Sequence, residues 1–230
     1  MESHDEWMSI SDMMSGLMLI FMFIAISFMI QVQSDKDKIK SIAIAYTKDK
    51  KELNQDLNQE FSQDLKRWKA EITPDNIIIF NSPRVLFKSG KSVIRNDFKQ
   101  ILNDFFPRYI KILFSQKYRD QIDEVRIEGH TSNRWGNSHS YKKIYLKNMQ
   151  LSQDRANHVL SYCYALNYPI IEASRRWLEL HFRANGMAFS KLKFKDKEQQ
   201  IPNEEKSRRV EFRVQMKTEE KIYKILQVSE

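Results

Sequence analysis

The chain has 230 residues, a net charge of +8 and a single cysteine, Cys163. One cysteine excludes an internal disulfide framework and most cysteine-based metal sites. Hydrophobic residues make up 41% of the chain, which suffices for the core of one folded domain beside shorter segments. Residues 1–12 carry four acidic side chains and no Lys or Arg, so the remaining chain has a net charge of +12. Such a basic surface favours an anionic neighbour, whether cell-wall polymer, lipid headgroups or nucleic acid.

The first predicted element is a transmembrane helix over residues 13–33, which follows a short tail of residues 1–12. No charged residue occurs between Asp12 and Asp35. About 22 uncharged residues, at about 1.5 Å each, span roughly 33 Å, enough for a hydrocarbon core of about 30 Å. A cleavable signal peptide is not expected, because no Lys or Arg precedes the apolar run and no small-residue cleavage site follows it.

Asp12, at the start of this helix, has two interpretations. It can cap the helix, because Ser11 and Asp12 precede an apolar run and Asp favours the positive N-terminal end. It can instead carry an ion, because a carboxylate in a membrane is costly and usually faces a partner helix or a water-filled path. Ser15 and Gly16 share its helix face and would let another helix approach closely. The residues alone leave both interpretations open.

Residues 34–74 predict a helical linker that ends at Thr73 and Pro74, since the residue before proline avoids helical geometry. The apolar residues of this segment form a narrow stripe on an otherwise polar helix, and such a stripe predicts a dimeric coiled coil. The alternative is a helix packed along its own domain. The apolar residues of the stripe recur at spacings of three, four or seven: Ile39, Ile42, Tyr46, Leu53, Leu57, Phe61, Leu65, Trp68 and Ile72.

Residues 75–217 predict an α+β sandwich, in which helices pack on one small mixed sheet, and residues 218–230 form a C-terminal tail. The pattern predicts, in order, strands over 77–80 and 84–87, a helix over 96–118 interrupted at Pro107, a strand over 125–128, helices over 146–164 and 175–182, and a closing strand over 210–216.

No pattern of catalysis or of metal or cofactor binding is found. The five histidines have no metal-ligand spacing with Cys or carboxylates, and no phosphate loop or nucleophile–base motif is present. We therefore expect no catalytic residues, no metal site, no cofactor and no enzyme activity of the chain by itself.

Three motifs, in this order along the chain, resemble the OmpA-like peptidoglycan-binding domain. They are Val-Arg-Ile-Glu-Gly-His-Thr at 125–131, Asn-Met-Gln-Leu-Ser-Gln-Asp-Arg-Ala at 148–156, and Ser-Arg-Arg-Val-Glu-Phe at 207–212. The resemblance covers roughly residues 75–217. Together with one N-terminal membrane helix opened by Asp12, the chain is similar to the MotB class of stator subunits. The sequence of residues 7–18 and the Gly-His-Thr-Ser variant resemble the MotB-like subunits of Zorya anti-phage defence systems.

The resemblance implies a peptidoglycan site made of Thr131, Ser132, Asn148 and Arg155. Arg155 would hold the carboxylate of diaminopimelate bidentately, with Thr131 and Asn148 as polar supports. Ser132 stands where the family usually has an Asp, the expected partner of the ligand's ammonium. The connection from Ser132 to Asn148 is longer than usual and carries Trp135, which could stack on sugar.

For the membrane part, the resemblance implies a homodimer inside a ring of MotA-like (ZorA-type) subunits, five around the dimer, with Asp12 binding and releasing H⁺ or Na⁺. It also implies an inner-membrane protein with a cytoplasmic N-terminus and a periplasmic domain. The positive-inside rule predicts the opposite orientation, because several lysines follow the helix closely and no lysine precedes it. The lysines that follow are Lys36, Lys38, Lys40, Lys48, Lys50 and Lys51. We follow the resemblance, since a partner ring can impose topology.

Three classes of function follow. The first is an ion-driven motor subunit anchored to the cell wall, acting in phage defence or, as the neighbouring version, in flagellar rotation. The second is a passive OmpA-like wall tether in which Asp12 is only a cap. The third is a cytoplasm-facing basic domain that binds nucleic acid. We expect the first, with no direct contact to nucleic acid.

Overall fold

A computed structural model describes residues 3–196, 198 and 200–217, with side chains from residue 13 onward except those of residues 45, 46 and 84. The predicted tail of residues 218–230 lies outside the described residues. The chain divides into two compact units, of which the first ends at Thr47 and the second begins at Lys48.

The first unit is helical, and its helix is the N-terminal part of α1 (Ser3–Trp68). Every side chain from Met13 to Lys38 is exposed. In the described part of the chain, α1 is the one helix long and apolar enough to cross a membrane, with a mean hydropathy of 2.4 over its apolar window. An apolar surface of this length that packs on nothing in the described part of the chain suits lipid or a partner helix. Asp12 lies within α1, and its side chain is outside the described part.

The second unit contains one five-stranded sheet, one two-stranded ribbon and the helices that cover the sheet. The sheet order is β1-β2-β7-β3-β4, with β3 and β4 parallel and the other neighbours antiparallel. This mixed sheet with helices confirms the predicted α+β class. After α1 the elements are β1 (Ala70–Ile72), β2 (Ile77–Phe80), α2 (Pro83–Leu86), α3 (Asn96–Leu113), β3 (Ile122–Gly129), α4 (Tyr141–Tyr164), α5 (Pro169–His181), β4 (Phe182–Gly186), β5 (Phe194–Asp196), β6 (Ile201–Pro202), α6 (Glu204–Ser207) and β7 (Val210–Met216).

Aromatic side chains form the centre of the core. Phe212 of β7 is fully buried, and its ring lies 5.0 Å from that of Phe105 and 5.9 Å from that of Phe80. Phe105 belongs to the apolar face of α3, which continues through Phe106 and Tyr109 without a break at Pro107. The burial of this face on both sides of the proline keeps the helix continuous, although proline removes one hydrogen bond.

The structure differs from the predicted linker in its second half. Leu53, Leu57 and Phe61 are fully buried within the chain, and the Phe61 ring lies 5.3 Å from that of Phe105. These side chains are therefore part of the domain core, and the helix packs along its own domain instead of forming a coiled coil there. Helix α1 ends at Trp68 rather than at Thr73, because residues 70–72 pair with β2 as a strand.

Two further elements differ from the prediction. Residues 84–87 were expected as a strand, but Pro83–Leu86 is a helical turn with proline at its start, a position that proline favours. Phe87 then forms an isolated bridge with Ile94. The helix expected over 175–182 begins earlier, at Pro169, and ends at His181, so Phe182 opens strand β4.

A candidate ligand pocket at the end of strand β3

The four residues predicted to bind peptidoglycan line one pocket of about 750 Å³. Thr131 and Ser132 directly follow strand β3, whereas Asn148 and Arg155 lie two turns apart on one side of helix α4. The segment from Pro83 to Arg95 and the residues around α6 complete the wall. The structure thus brings together residues that the resemblance placed in one site.

Thr131 and Asn148 hold the backbone at the pocket. The Thr131 N–H donates to the carbonyl of Ala188 at 2.8 Å, and its buried hydroxyl has no hydrogen-bond partner among the described residues. The Asn148 amide donates to the carbonyls of Arg134 at 3.2 Å and Ile144 at 3.0 Å. Asn148 therefore connects the loop after Ser132 to α4. The Thr131 hydroxyl remains available to form a hydrogen bond at the pocket.

Arg155 is a buried cation without a carboxylate partner in the described part of the chain. Only 6% of its surface is exposed, its Nε donates to the carbonyl of Lys91 at 3.0 Å, and its guanidinium lies 4.9 Å from the centre of the Phe87 ring. Burial, and next the charge of Arg208, lower the pKa of Arg155 to about 10, so it remains charged at neutral pH. A buried charge with no counterion is costly, so this position favours an anionic ligand.

The other charged groups around the pocket are also mainly cationic. Among the described lining residues Glu204 is the one acid, and its carboxylate is paired with Arg134 at 2.8 Å. Arg209 is paired with Glu211 at 2.6 Å. The cationic side chains of the lining are Lys88, Arg95, Arg134, Arg155, Arg208 and Arg209.

Beside the pocket lies a buried cluster of Glu128, His130 and Glu211 that local sequence spacing did not reveal. The His130 Nε2 atom is 3.6 Å from one oxygen of each carboxylate. Glu128 and Glu211 are opposite each other on the antiparallel strands β3 and β7. The sequence signal was present in the alternation of charged residues along these two predicted strands, but it required knowing that the strands are neighbours.

Ligand atoms of these three residues lie within 4.8 Å of one another, a geometry that could hold a cation. Arg209 and Arg213 already pair with the carboxylates, at 2.6 Å to Glu211 and 3.0 Å to Glu128. Burial opposes ionisation of Glu211, but His130 and Arg209 outweigh it and lower the pKa of Glu211 to about 2. The negative charges are therefore compensated without a metal, and the cluster fixes the end of β3 beside Thr131.

Two hydrogen bonds hold helix α4 against the end of strand β4 and the residues that follow it. The Gly186 N–H donates to Oε1 of Gln153 at 2.7 Å, and the Ala188 N–H donates to Oγ of Ser152 at 2.9 Å. Ser152 and Gln153 lie between Asn148 and Arg155 on the same helix. These hydrogen bonds therefore fix the positions of both pocket residues relative to the sheet.

Comparison with known proteins gives two sequence matches. Residues 86–208 match the OmpA family. The chain is 40% identical over 227 residues to the Zorya protein ZorB of Escherichia coli, covering 98% of this chain and 94% of that protein. Both matches confirm the resemblance predicted from the motifs.

Solved structures with a similar fold include a MotB-like protein from Desulfovibrio vulgaris, at 18% identity and a TM-score of 0.47, covering 80% of this chain and 99% of that one. The cell wall anchor of the T6SS from Pseudomonas aeruginosa matches at 21% identity and a TM-score of 0.45, covering 70% of this chain and 97% of that one. These likenesses are distant, and the sequence matches carry the relationship.

Proposed function

The chain belongs to the OmpA family and to the family of the Zorya protein ZorB, and on that premise we propose that it is a membrane-anchored, peptidoglycan-binding stator-type subunit that acts in defence against phage. The proposal describes a binding and ion-carrying subunit, not an enzyme.

The observation that carries the binding part is the buried guanidinium of Arg155, which lies in a cationic pocket and has no carboxylate partner among the described residues. Peptidoglycan stem peptides end in free carboxylates, and Arg binds a carboxylate through two parallel hydrogen bonds. A ligand carboxylate would supply the counterion that Arg155 lacks in the described part of the chain. Thr131, Ser132 and Asn148 would contribute polar contacts or hold the loop in place.

Binding of the full-length chain, purified in detergent, to isolated peptidoglycan sacculi tests this proposal. We expect Arg155→Gln to lower the bound fraction in a co-sedimentation assay at least about tenfold, as loss of a charge-assisted bidentate contact predicts. Arg119→Gln is the matched control, because Arg119 is exposed and pairs with Asp120 away from the pocket. Equal binding by the Arg155 variant and the wild type would refute the assignment of the pocket.

For the membrane part, we propose that residues 13–33 cross the inner membrane once, with the N-terminus in the cytoplasm and the domain in the periplasm. Two copies would lie inside a ring of MotA-like (ZorA-type) subunits, and Asp12 would carry H⁺ or Na⁺. The exposed apolar surface from Met13 to Val32 supports a membrane location. A carboxylate suits ion transfer, because it attracts a cation when ionised and tolerates apolar surroundings when neutralised.

The proposed orientation is opposed by the lysines that follow the helix, so it needs its own measurement. Single cysteines introduced at Ser34 and Ser138, in the Cys163→Ala chain, can be labelled in intact cells with a membrane-impermeant maleimide. Ser34 is exposed, and Ser138 is partly exposed. We expect labelling from the periplasmic side. Labelling only after the inner membrane is permeabilised would place the basic domain in the cytoplasm, where nucleic acid becomes the candidate partner.

A further inference from the structure

Arg208 is a second pocket residue with one buried side-chain donor that the described chain leaves unsatisfied. Its Nε atom is buried and has no hydrogen-bond partner among the described residues. Its backbone is well fixed, because the Arg208 N–H closes the short helix α6 through the carbonyls of Glu204 and Glu205, each at 3.3 Å. A buried donor without an acceptor is costly, so an acceptor from outside the chain would stabilise this site.

Arg155 and Arg208 line the same pocket, and each has an incompletely used guanidinium. Burial, and next the positive charge of Arg208, lower the pKa of Arg155. Two like charges near each other in a partly desolvated pocket repel, and negative charge between or beside them relieves that repulsion. The neighbouring Arg134 and Arg209 differ, because each is already paired with a carboxylate of the chain.

No free carboxylate is available in the described pocket lining to pair with a ligand ammonium. Ser132 and Thr131, at the end of β3, offer hydroxyl groups only, and Glu204 is occupied by Arg134 at 2.8 Å. A hydroxyl can accept a hydrogen bond from an ammonium but cannot neutralise it. The charges of the pocket therefore match an anion better than a zwitterion.

We propose that this pocket recognises a ligand by two anionic groups, one held by Arg155 and the other by Arg208, and that the ligand's ammonium receives no ion pair. The inference rests on the proposed function and names its ligand chemistry, a stem peptide whose diaminopimelate residue has two free carboxylates. Arg208 is then a binding residue. Because Ser132 is uncharged and forms no ion pair with the ligand's ammonium, the amino group is dispensable for binding.

Three synthetic peptides separate these contributions, with affinities measured by calorimetry on the full-length chain in detergent. The first is L-Ala-γ-D-Glu-meso-diaminopimelate. The second replaces diaminopimelate with 2-aminopimelate, which keeps both carboxylates and lacks the distal amine. The third carries amides in place of both carboxylates of the diaminopimelate. We expect Kd to change less than about threefold for the second peptide and to rise at least about tenfold for the third.

Variants of Arg208 provide the second arm. We expect Arg208→Gln to raise the Kd of the first peptide at least about tenfold, Arg208→Lys to retain part of the affinity through its charge, and Arg119→Gln to bind as the wild type does. Thermal unfolding of each variant checks that the domain is folded. If Arg208→Gln proves unfolded, the comparison of the three peptides on the wild-type chain decides whether two anionic groups are needed, and the Kd of the Arg208→Lys chain tests the contribution of the guanidinium, with a Kd equal to that of the wild type counting against it.

The outcomes distinguish the two proposals. Unchanged binding by a folded Arg208→Gln chain, or a tenfold loss on removing the amine, overturns the dianion proposal while leaving peptidoglycan binding intact. Binding of sacculi without binding of the first peptide also overturns it, because the anionic groups are then not those of the stem. Failure of the wild-type chain to bind either sacculi or peptide overturns both.

Discussion

Gly129 and Gly186 are paired neighbours on the parallel strands β3 and β4, and helix α4 lies directly over both of them. A Cβ atom at Gly186 would stand 2.7 Å from the backbone nitrogen of Gln153, and one at Gly129 would overlap the carbonyl oxygen of Ser152. Helix α4 carries Asn148 and Arg155, so this close approach of helix and strands fixes the position of Arg155 relative to the end of β3.

Gly129→Ala is expected to destabilise the domain and displace α4. Since the added methyl group meets backbone rather than a flexible side chain, we expect a loss of about 1–3 kcal/mol or more in the free energy of unfolding. Urea unfolding followed by tryptophan fluorescence measures it. Gly16→Ala is the control, because no atom in the described part of the chain lies within 4 Å of the added atom. A stability equal to the wild type would show that α4 can move away freely.

Leu57→Ala is expected to destabilise the domain by about 2–5 kcal/mol, because Leu57 is fully buried within one chain. Ile44→Ala, whose parent side chain is 59% exposed, should change domain stability little. The unfolding midpoint of the domain should not depend on protein concentration. A midpoint that rises with concentration, together with a small effect of Leu57→Ala, would instead favour a coiled coil at this part of α1.

The acid sensitivity of the domain should depend on Glu211. Its pKa is about 2 in the folded chain, below the ordinary glutamate value of 4.5, so its contribution to stability is present above about pH 4.5. That contribution is lost as the pH falls from 4.5 towards 2, because protonation removes the charge that His130 and Arg209 stabilise.

Glu211→Gln tests this dependence. At pH 7 the variant should be less stable by about 3–5 kcal/mol, because Arg209 is left buried without its carboxylate. The difference between wild type and variant should shrink as the pH is lowered below 4.5 in a series of urea unfolding curves. A difference that stays constant down to pH 2.5 would contradict the assigned cause.

Asp12→Asn is expected to abolish protection against phage in cells that express the chain with its neighbouring genes, because the amide cannot bind and release a cation. Immunoblots of membrane fractions should show normal levels of the variant. Asp12→Glu retains a carboxylate and should keep part of the activity. Full protection with Asp12→Asn would leave Asp12 as a helix cap and favour a passive wall tether.

Local periodicity in the sequence was enough to predict most of the elements. The uncharged run after Asp12 predicted the long apolar helix, and the alternation at Val125–Glu128 and at Val210–Met216 predicted β3 and β7. These elements depend on the spacing of residues along one segment, which a single sequence displays directly. The grouping of Thr131, Asn148 and Arg155 in one site came instead from the resemblance of their motifs to a known family, and the three residues do line one pocket.

The tertiary structure decided which apolar and charged groups meet. The stripe through Leu57 could have faced a second copy or its own domain, and only the position of Phe105 on α3 shows that it joins the core. Likewise, the sequence by itself determined that Arg155 and Arg208 are cationic, but whether each has a partner depends on segments distant along the chain. Burial and pairing are properties of the packed environment, because a charge in water and the same charge in a pocket differ in free energy by their lost hydration.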